Sequence, residues 1–397
     1  MSGWKIARLA EVAAVFNGKT PSKVEQRTEG HPVLKIKNVS ELGEYRGKFE
    51  SFVDPELAAK FANKQVQEGD TLILNAAHNA DYVASKTYHA QPSTFGALAT
   101  GEWLIVRPDR KALDANFAHH WVNSTRTRCE LRDLVNGIHL YPKDVARLQI
   151  PIPPLEEQKR IAEILDRAEE LRSKRREAIA QLDTLTQAIF LEMFGNPLSN
   201  PKGWKVKTCK NICSRITVGI VVQPASYYQE YGVPALRSQN IKSNSISTDN
   251  LVFFSQSDNE TKLAKTRVKA GDVVLVRTGQ PGTAAVIPEE LDGVNAIDIL
   301  ITTPCKDIVD SVYLCSFFNS SWGKKLVLSY QVGQIQKHLN VGILNNAQII
   351  CPPLPLQQEF AHRVETVEKL KAAHRASLSE LDALFASLQH RAFRGEL

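Results

Sequence analysis

Hydrophobic and polar residues follow two different periods along this chain of 397 residues, and each period predicts one kind of element. Apolar and basic residues alternate in LKIKNV, from Leu34, and a period of two predicts a strand. Gly-Asp turns precede the apolar runs of GDTLIL and GDVVLV, from Gly69 and Gly271, which predict two more strands. After Pro153 and Pro352, apolar residues recur every three or four positions over about 40 residues, which predicts two long helices. The fold class predicted is therefore α+β.

The same order of segments occurs twice, which indicates a tandem repeat. PPLEEQKRIAEIL begins at Pro153 and PPLPLQQEFAHRV at Pro352, 199 positions later. GWKI, from Gly3, returns as GWKV at Gly203, and PVLKIKNV returns as PALRSQNI at an offset of 202. Two long repeats predict a pseudo-two-fold arrangement, because a solenoid is built from many short repeats. The predicted segments are two β-rich domains, 1–152 and 196–351, and two helices, 153–195 and 352–397.

Both helices carry a heptad pattern, which predicts that they pack together as a coiled coil. The first heptad position is occupied by Ile161, Ala168, Arg175, Leu182 and Ile189, and in the second helix by Phe360, Val367, His374, Leu381 and Leu388. The second position, three residues later, is occupied by Ile164, Leu171, Ala178, Leu185 and Glu192, and by Arg363, Leu370, Ser377, Leu384 and Arg391. An ordinary amphipathic helix on a globular core is the alternative.

Charge is distributed unevenly between the predicted segments. The chain has a net charge of +6, with +3 in residues 1–152, +5 in 196–350, and −2 and 0 in the two helices. This charge permits a polyanionic partner for the β-rich domains but does not demand one. Six scattered cysteines, the absence of a signal peptide pattern and the absence of a long apolar run predict a protein of the reducing cytoplasm.

The sequence offers no convincing catalytic or metal site. AAVFNGKT, from Ala13, resembles a phosphate-binding loop, but it lacks the first glycine and Pro21 interrupts the helix that should follow. His119 and His120 are adjacent, so on a helix they point in different directions and make a poor metal pair. A Ser/His/Asp triad stays open, since its members need not be close in sequence.

The chain resembles a known family, the specificity subunit of type I restriction–modification enzymes. The resemblance rests on the repeated Pro-Pro-to-helix junction and on GKTPSK from Gly18, FGNPLSNPKGW from Phe194, GQIQKHLN from Gly333 and the final FRGEL. It implies two target recognition domains separated by two antiparallel helices, each domain recognising one half of a split DNA sequence. It also implies a subunit without catalytic activity that binds two modification subunits and, with them, restriction subunits. S-adenosylmethionine, ATP and Mg²⁺ are then expected in the partner subunits, with no cofactor in this chain.

The residues predicted to contact DNA are polar or basic and lie in loop-like stretches, some at matching positions of the two domains. Arginine can bind two atoms of guanine, and asparagine can do the same with adenine. The predicted set is Lys19, Lys35, Lys37, Asn38 and His139 in the first domain, and Arg237, Asn240, Arg277, Gln280, Gln334, Lys337 and His338 in the second. Two other classes remain open at this stage, a coiled-coil adaptor that binds proteins and an enzyme with an unrecognised site. Salt-dependent DNA binding would separate the adaptor from a DNA-recognition subunit.

Overall fold

The computed structural model describes residues 3–328 and 339–397. Residues 1–176 with 376–397 form one compact unit, called unit 1 here, and residues 177–375 form unit 2. Each unit therefore contains one β-rich region together with part of each long helix. Across the residues that the structure describes, no helix has the length and apolar character needed to cross a membrane.

Unit 1 is a β-rich domain with short helices, followed by the first long helix, which continues into unit 2. Its strands are β1 Lys5–Arg8, β2 Ala13–Asn17, β3 His31–Leu34, β4 Phe52–Val53, β5 Thr71–Leu74, β6 Thr87–His89, β7 Leu98–Ala99, β8 Trp103–Pro108 and β9 Gln149–Ile152. Its helices are α1 Leu9–Val12, α2 Pro55–Lys60, α3 Ala115–Val122, α4 Thr125–Asp133, α5 Pro142–Val145 and the long α6 Leu155–Phe194. The strands form sheets in the orders β2-β8-β5-β6, β4-β3-β7 and β1-β9.

Unit 2 repeats this arrangement. Its strands are β10 Lys205–Thr208, β11 Cys213–Val218, β12 Tyr228–Gln229, β13 Val233–Leu236, β14 Ile241–Lys242, β15 Ser245–Ile246, β16 Val252–Phe254, β17 Val273–Val276, β18 Ala284–Val286, β19 Asn295–Ala296, β20 Ile299–Pro304 and β21 Gln348–Cys351. Its helices are α7 Cys209–Ile212, α8 Gln256–Glu260, α9 Ser311–Asn319, α10 Ser321–Leu328, α11 Val341–Asn346 and the long α12 Leu354–Ala392. The four-stranded order β11-β20-β17-β18 matches β2-β8-β5-β6 of unit 1, so the predicted tandem repeat is confirmed.

The Gly-Asp turns identified in the sequence place a buried carboxylate beneath each central strand. Asp70 and Asp272 are almost fully buried, and each accepts a hydrogen bond from a backbone N–H of its own turn. Arg107 of β8 binds Asp70 at 2.7 Å, and Arg215 of β11 binds Asp272 at 2.6 Å. These pairs compensate the burial of the carboxylates, which would otherwise be costly. The arginines therefore hold the turns that start β5 and β17.

The repeated Pro-Pro junction is explained in unit 1 by one buried glutamine in the first turns of α6. The Gln158 side chain is fully buried. Its Oε1 accepts a hydrogen bond from the backbone N–H of Asp114, which caps α3, at 2.8 Å. Its Nε2 donates to the backbone carbonyl oxygens of Ala112 at 3.0 Å and Pro153 at 2.9 Å. The junction thus ties the start of α6 to the start of α3.

Unit 2 contains the same junction with the same hydrogen bonds. Gln357 is also fully buried, and its Oε1 accepts from the backbone N–H of Asp310, the cap of α9, at 3.0 Å. Its Nε2 donates to the carbonyl oxygens of Ile308 at 3.2 Å and Pro352 at 2.8 Å. Gln158 and Gln357 are 199 positions apart, the same offset as the two Pro-Pro pairs. The repeated junction therefore keeps a buried glutamine that bonds the start of each long helix to the start of a short one.

The two long helices pack antiparallel within each unit. In unit 1, Arg160 donates to the carbonyl oxygen of Leu397 at 2.9 Å, and Arg172 binds Asp382 at 2.6 Å. In unit 2, Lys371 binds Asp183 at 2.8 Å, and the rings of Phe190 and Phe360 are 5.6 Å apart. As the residue numbers of α6 increase, the numbers of the α12 residues that they contact decrease, which is the pattern of antiparallel helices. Arg172 and Lys371 are equivalent residues of the two repeats, as are Asp183 and Asp382.

In the structure the first heptad position is buried or half-buried, whereas most of the second position is exposed. All ten residues in the first position, from Ile161 to Ile189 in α6 and from Phe360 to Leu388 in α12, are buried or half-buried. Ile164 is half-buried, but Leu171, Leu185, Leu370 and Leu384 are 55%, 39%, 49% and 51% exposed. The second buried position lies four residues after the first, at Leu165, Arg172, Ile179, Thr186 and Met193, and at Val364, Lys371, Leu378, Phe385 and Ala392.

The physical reason for this difference is that steps of three and four residues lie on nearly the same face of a helix. The two rows are almost equally apolar, since the exposed row has six apolar residues in ten and the buried row, which contains Arg172 and Lys371, has seven. Both cations bury their aliphatic parts and bind an aspartate of the facing helix. Composition therefore could not distinguish the two rows, and the buried row is made possible by pairing of its two cations across the helices.

A cluster of histidines joins the sheet of unit 1 to α3 and α6. The rings of His89 and His119 are 4.7 Å apart, and His120 Nε2 contacts Asp166 of α6 at 2.7 Å. Burial lowers the pKa of His89, and burial with the neighbouring histidines lowers the pKa of His119 well below its usual value. Both groups are therefore neutral in the folded unit at neutral pH.

We expect unit 1 to lose stability as the pH falls below about 6.5, the pKa of an unperturbed histidine. The unfolded chain then binds protons that the folded unit does not, so the free energy of unfolding decreases with decreasing pH. Urea unfolding at pH 7.5 and pH 5.5 measures this loss. His119→Gln should make the loss smaller, whereas His78→Gln, outside the cluster, should leave it unchanged. An equal pH dependence in all three proteins would contradict this account.

Candidate nucleic-acid interface

The two asparagines predicted to contact bases are structural residues. Asn38 and Asn240 each close a turn after β3 or β13 and are only 3% and 1% exposed. Their Oδ1 atoms accept from the backbone N–H of Lys35 at 2.8 Å and of Arg237 at 3.0 Å. Their Nδ2 atoms donate to backbone carbonyl oxygens of the following loop. The prediction that they bind adenine is therefore wrong, because the buried amides are already occupied.

The cations beside these turns have local partners. Lys35 is half-buried and its Nζ donates to Gln26 at 2.9 Å, whereas Lys37 is exposed and pairs with Glu50. Arg237 is half-buried and donates to the carbonyl oxygen of Asn250. LKIKNV is also not a continuous strand, since β3 ends at Leu34 and a single helical turn covers Ile36–Asn38. The strand predicted for this stretch therefore ends at its first residue, Leu34.

A cleft in unit 1 brings together polar side chains from four loops. Asn75 follows β5, and its Nδ2 donates to Oδ1 of Asn17, at the end of β2, at 2.8 Å. The hydroxyl of Thr20 accepts from the backbone N–H of Gly101 at 2.8 Å. The backbone N–H of Asn75 donates to the carbonyl oxygen of Glu102 at 2.8 Å. The cleft has a volume of about 340 Å³ and is lined by Asn17, Thr20, Asn75, Ala76, Gly101, Glu102, His139, Leu140 and Tyr141.

His139, which was predicted from the sequence, is an exposed residue of this cleft in the loop before α5. Its ring centre is 6.1 Å from that of Tyr141, and the next residue, Leu140, donates its backbone N–H to the carbonyl oxygen of Asn75 at 2.7 Å. Lys19 is exposed on the adjoining loop, with Nζ 5.3 Å from the ring centre of Phe61. This edge of unit 1 therefore presents amide, carboxylate, imidazole and ammonium groups together.

The equivalent place in unit 2 shares one backbone hydrogen bond with unit 1 and has different side chains. Arg277 follows β17 as Asn75 follows β5, and its carbonyl oxygen accepts from the backbone N–H of Leu339 at 3.0 Å. The Arg277 guanidinium binds the carboxylate of Asp298 at 2.5 Å. Gln280 is exposed in the next turn. The other three predicted residues of this domain, Gln334, Lys337 and His338, lie outside the described residues.

Asn17, Asn75, Glu102 and Tyr141 were not predicted from the sequence. A signal for Asn75 was present, because it occupies the position of Arg277 in the other repeat at the same offset of 202 that relates the strands. Glu102 and Asn17 had no such signal, since only the sheet brings them beside Asn75. In the part of the chain that the structure describes, no group of three or more His, Cys, Asp or Glu side chains could hold a metal ion.

Comparison with known proteins gives one consistent family. The family model described as "Type I restriction modification DNA specificity domain" matches residues 1–181 and again residues 201–383. The Escherichia coli K12 protein "Type I restriction enzyme EcoKI specificity subunit" is 24% identical, over 100% of this chain and 89% of its own length. The Methanocaldococcus jannaschii "Type I restriction enzyme MjaVIII specificity subunit" is 22% identical, over 99% of this chain and 93% of its own length.

Solved structures share the fold. A chain from "Structural basis underlying complex assembly and conformational transition of the type I R-M system" has a TM-score of 0.59 at 19% identity, and the match covers 100% of this chain and 99% of that one. A "Type-I restriction-modification system S subunit from M. genitalium" has a TM-score of 0.57 at 13% identity, covering 98% and 96%. The repeated family match agrees with the duplicated sheets and junctions.

Proposed function

This chain belongs to the type I restriction–modification DNA specificity family, and we propose that it is the DNA-recognition subunit of such a complex, without catalytic activity of its own. Each β-rich domain recognises one half of a bipartite target, and the long helices set the spacing between the halves. The partners supply the chemistry, with S-adenosylmethionine, ATP and Mg²⁺ bound in the modification and restriction subunits. The cytoplasm, where such a complex meets chromosomal DNA, is the proposed location.

The observation that carries this proposal is the backbone hydrogen bond shared by Asn75 and Arg277, around which the two units carry different side chains. Leu140 and Leu339 make the same backbone hydrogen bond to Asn75 and Arg277, so the two loops are held at equivalent positions. Asparagine pairs well with adenine, glutamate with cytosine, and arginine with guanine. The first repeat offers the carboxylate of Glu102, and the second offers the guanidinium of Arg277. Two domains with one framework and different polar groups fit the recognition of two different half-sites.

We propose further that two copies of the modification subunit bind through exposed leucines that repeat with the helices. Leu171 and Leu384 flank the Arg172–Asp382 ion pair in unit 1. Leu370 and Leu185, at the equivalent positions, flank the Lys371–Asp183 pair in unit 2. Leucines exposed in the same pattern twice are typical of a surface covered by a partner. Restriction subunits complete the proposed assembly.

The proposal predicts that changing one cleft alters one half-site only. Co-expression with the modification subunit, followed by mapping of methylated adenines across a host genome, should give a bipartite motif. Glu102→Ala should relax the motif at one base of one half, because Glu102 is a half-buried group of the cleft and a mismatched base pair costs about 1–3 kcal/mol. The other half should be unchanged. Asn116→Ala, in the same unit but outside the cleft, is the matched control.

Two results would contradict the proposal. Relaxation in both halves would show that the domains do not act separately. An absence of salt-dependent DNA binding by the assembled complex would exclude DNA recognition altogether, because phosphate contacts make such binding fall with salt concentration.

A further inference from the structure

The loop that follows β11 in unit 2 starts from the same place as the loop that follows β2 in unit 1. Gly18 and Gly219 both lie against backbone, where an added Cβ would be 2.3 Å from the carbonyl oxygen of Thr100 and 2.4 Å from that of Ala296. Only glycine permits this close approach. The two loops are therefore anchored alike, and their differences lie in the residues after the glycine.

Those residues have opposite chemistry. The unit 1 loop begins KTPSK, with Lys19 and Lys23 exposed. The unit 2 loop reads IVVQPASYYQEY and contains no lysine or arginine between Gly219 and Gly232. Val221 and Val222 are 51% and 77% exposed. Without a cation the loop cannot neutralise phosphate, so its exposed apolar groups need another kind of contact.

The two valines follow Ile220, which is hydrogen-bonded to the backbone of Asp298, the partner of Arg277. Ile220 donates its backbone N–H to the carbonyl oxygen of Ala296 at 2.8 Å and accepts from the N–H of Asp298 at 3.0 Å. The carboxylate of Asp298 in turn binds Arg277. Val221 and Val222 are therefore one and two residues away in the chain from the backbone that holds the Arg277–Asp298 pair.

We propose that Val221 and Val222 contact the 5-methyl group of a thymine in the half-site recognised by the second domain. This inference rests on the proposed DNA recognition. The thymine methyl is the apolar group that a base pair presents in the major groove, and apolar side chains recognise it by contact. Cytosine has no methyl group at that carbon and presents an amino donor nearby, so branched aliphatic side chains favour thymine over cytosine.

Deoxyuridine provides the test, because it lacks only the methyl group of thymidine. Once methylation mapping has given the target, duplexes are made with each thymine of the second half-site replaced in turn by deoxyuridine. Binding is measured with the assembled complex of this chain and the modification subunit. One replacement should weaken binding about fourfold, the effect of removing one buried methyl group. In the Val221→Ala/Val222→Ala variant, thymine and uracil duplexes should bind equally at that position.

Val24→Ala is the matched control, since Val24 is an equally exposed valine of the corresponding loop in unit 1. It should leave the preference for thymine unchanged. A second half-site without thymine, or one where no uracil replacement matters, would overturn the inference. The double variant could also bind both duplexes more weakly and still prefer thymine over uracil. That result would overturn the inference and indicate that the valines insert between bases. Failure of the wild-type complex to bind its mapped target would instead contradict the proposed function.

Discussion

Replacing Leu171 and Leu384 with aspartate is expected to leave a complex with one modification subunit where the wild type holds two. These leucines belong to unit 1, and a charge buried in an apolar contact without a partner is strongly unfavourable. Loss of two central apolar contacts should weaken that site by about a hundredfold or more. The equivalent site, with Leu185 and Leu370, should stay intact. Light scattering of the purified complex measures the ratio of subunits.

The reciprocal variant makes the test sharper. Leu185→Asp/Leu370→Asp should also give a complex with one modification subunit, and the variant with all four substitutions should bind none. Ala180→Asp adds a charge at an exposed position of α6 outside the leucine row and serves as the control. If all variants kept two modification subunits, the leucines would not be the docking surface. If either pair alone removed both copies, the two sites would not be independent.

Gln357→Leu is expected to lower the free energy of unfolding of unit 2 by about 3 kcal/mol or more. The substitution removes the partner of the Asp310 N–H and of two carbonyl oxygens, and each buried unsatisfied group costs about 1–3 kcal/mol. Urea unfolding measures the total loss. Hydrogen exchange followed by mass spectrometry should show faster exchange at the start of α9. Gln158→Leu should act in the same way on α3 of unit 1.

The neighbouring glutamine provides a control for this prediction. Gln358 is exposed in the same helical turn, so Gln358→Leu should change the unfolding free energy by less than about 0.5 kcal/mol. Equal losses for both substitutions would show that the helix start, and not the buried amide, determines stability. No loss for Gln357→Leu would mean that the repeated junction has another role.

The tandem repeat, the strands after the Gly-Asp turns and the two long helices could be predicted because each has a local signal. α6 begins at Leu155 and α12 at Leu354, each within three residues of its Pro-Pro pair. The second heptad position could not be predicted, since the buried row contains Arg172 and Lys371. Their burial depends on Asp382 and Asp183 of the facing helix, which no local pattern identifies.

The candidate interface was harder to predict than the fold for a related reason. Asn38 and Asn240 are polar and repeat between the domains, which are also the properties of a residue that closes a turn. Side-chain identity could not separate the two roles, but burial does. Asn17 and Glu102 come beside Asn75 only through the pairing of β2, β5 and β8 in one sheet. Residues joined by such long-range pairing have no shared pattern in the sequence.

The two ion pairs between the long helices have the form of an isologous interface. Each repeat contributes one cation and, eleven positions later, one aspartate, and each cation binds the aspartate of the other repeat. In a symmetric dimer of identical subunits, residue i contacts residue j and residue j contacts residue i. A single repeat therefore carries both members of the pairing and is self-complementary. In a symmetric dimer of the first repeat, Arg172 of each copy would face Asp183 of the other, without the peptide that joins the two repeats in this chain.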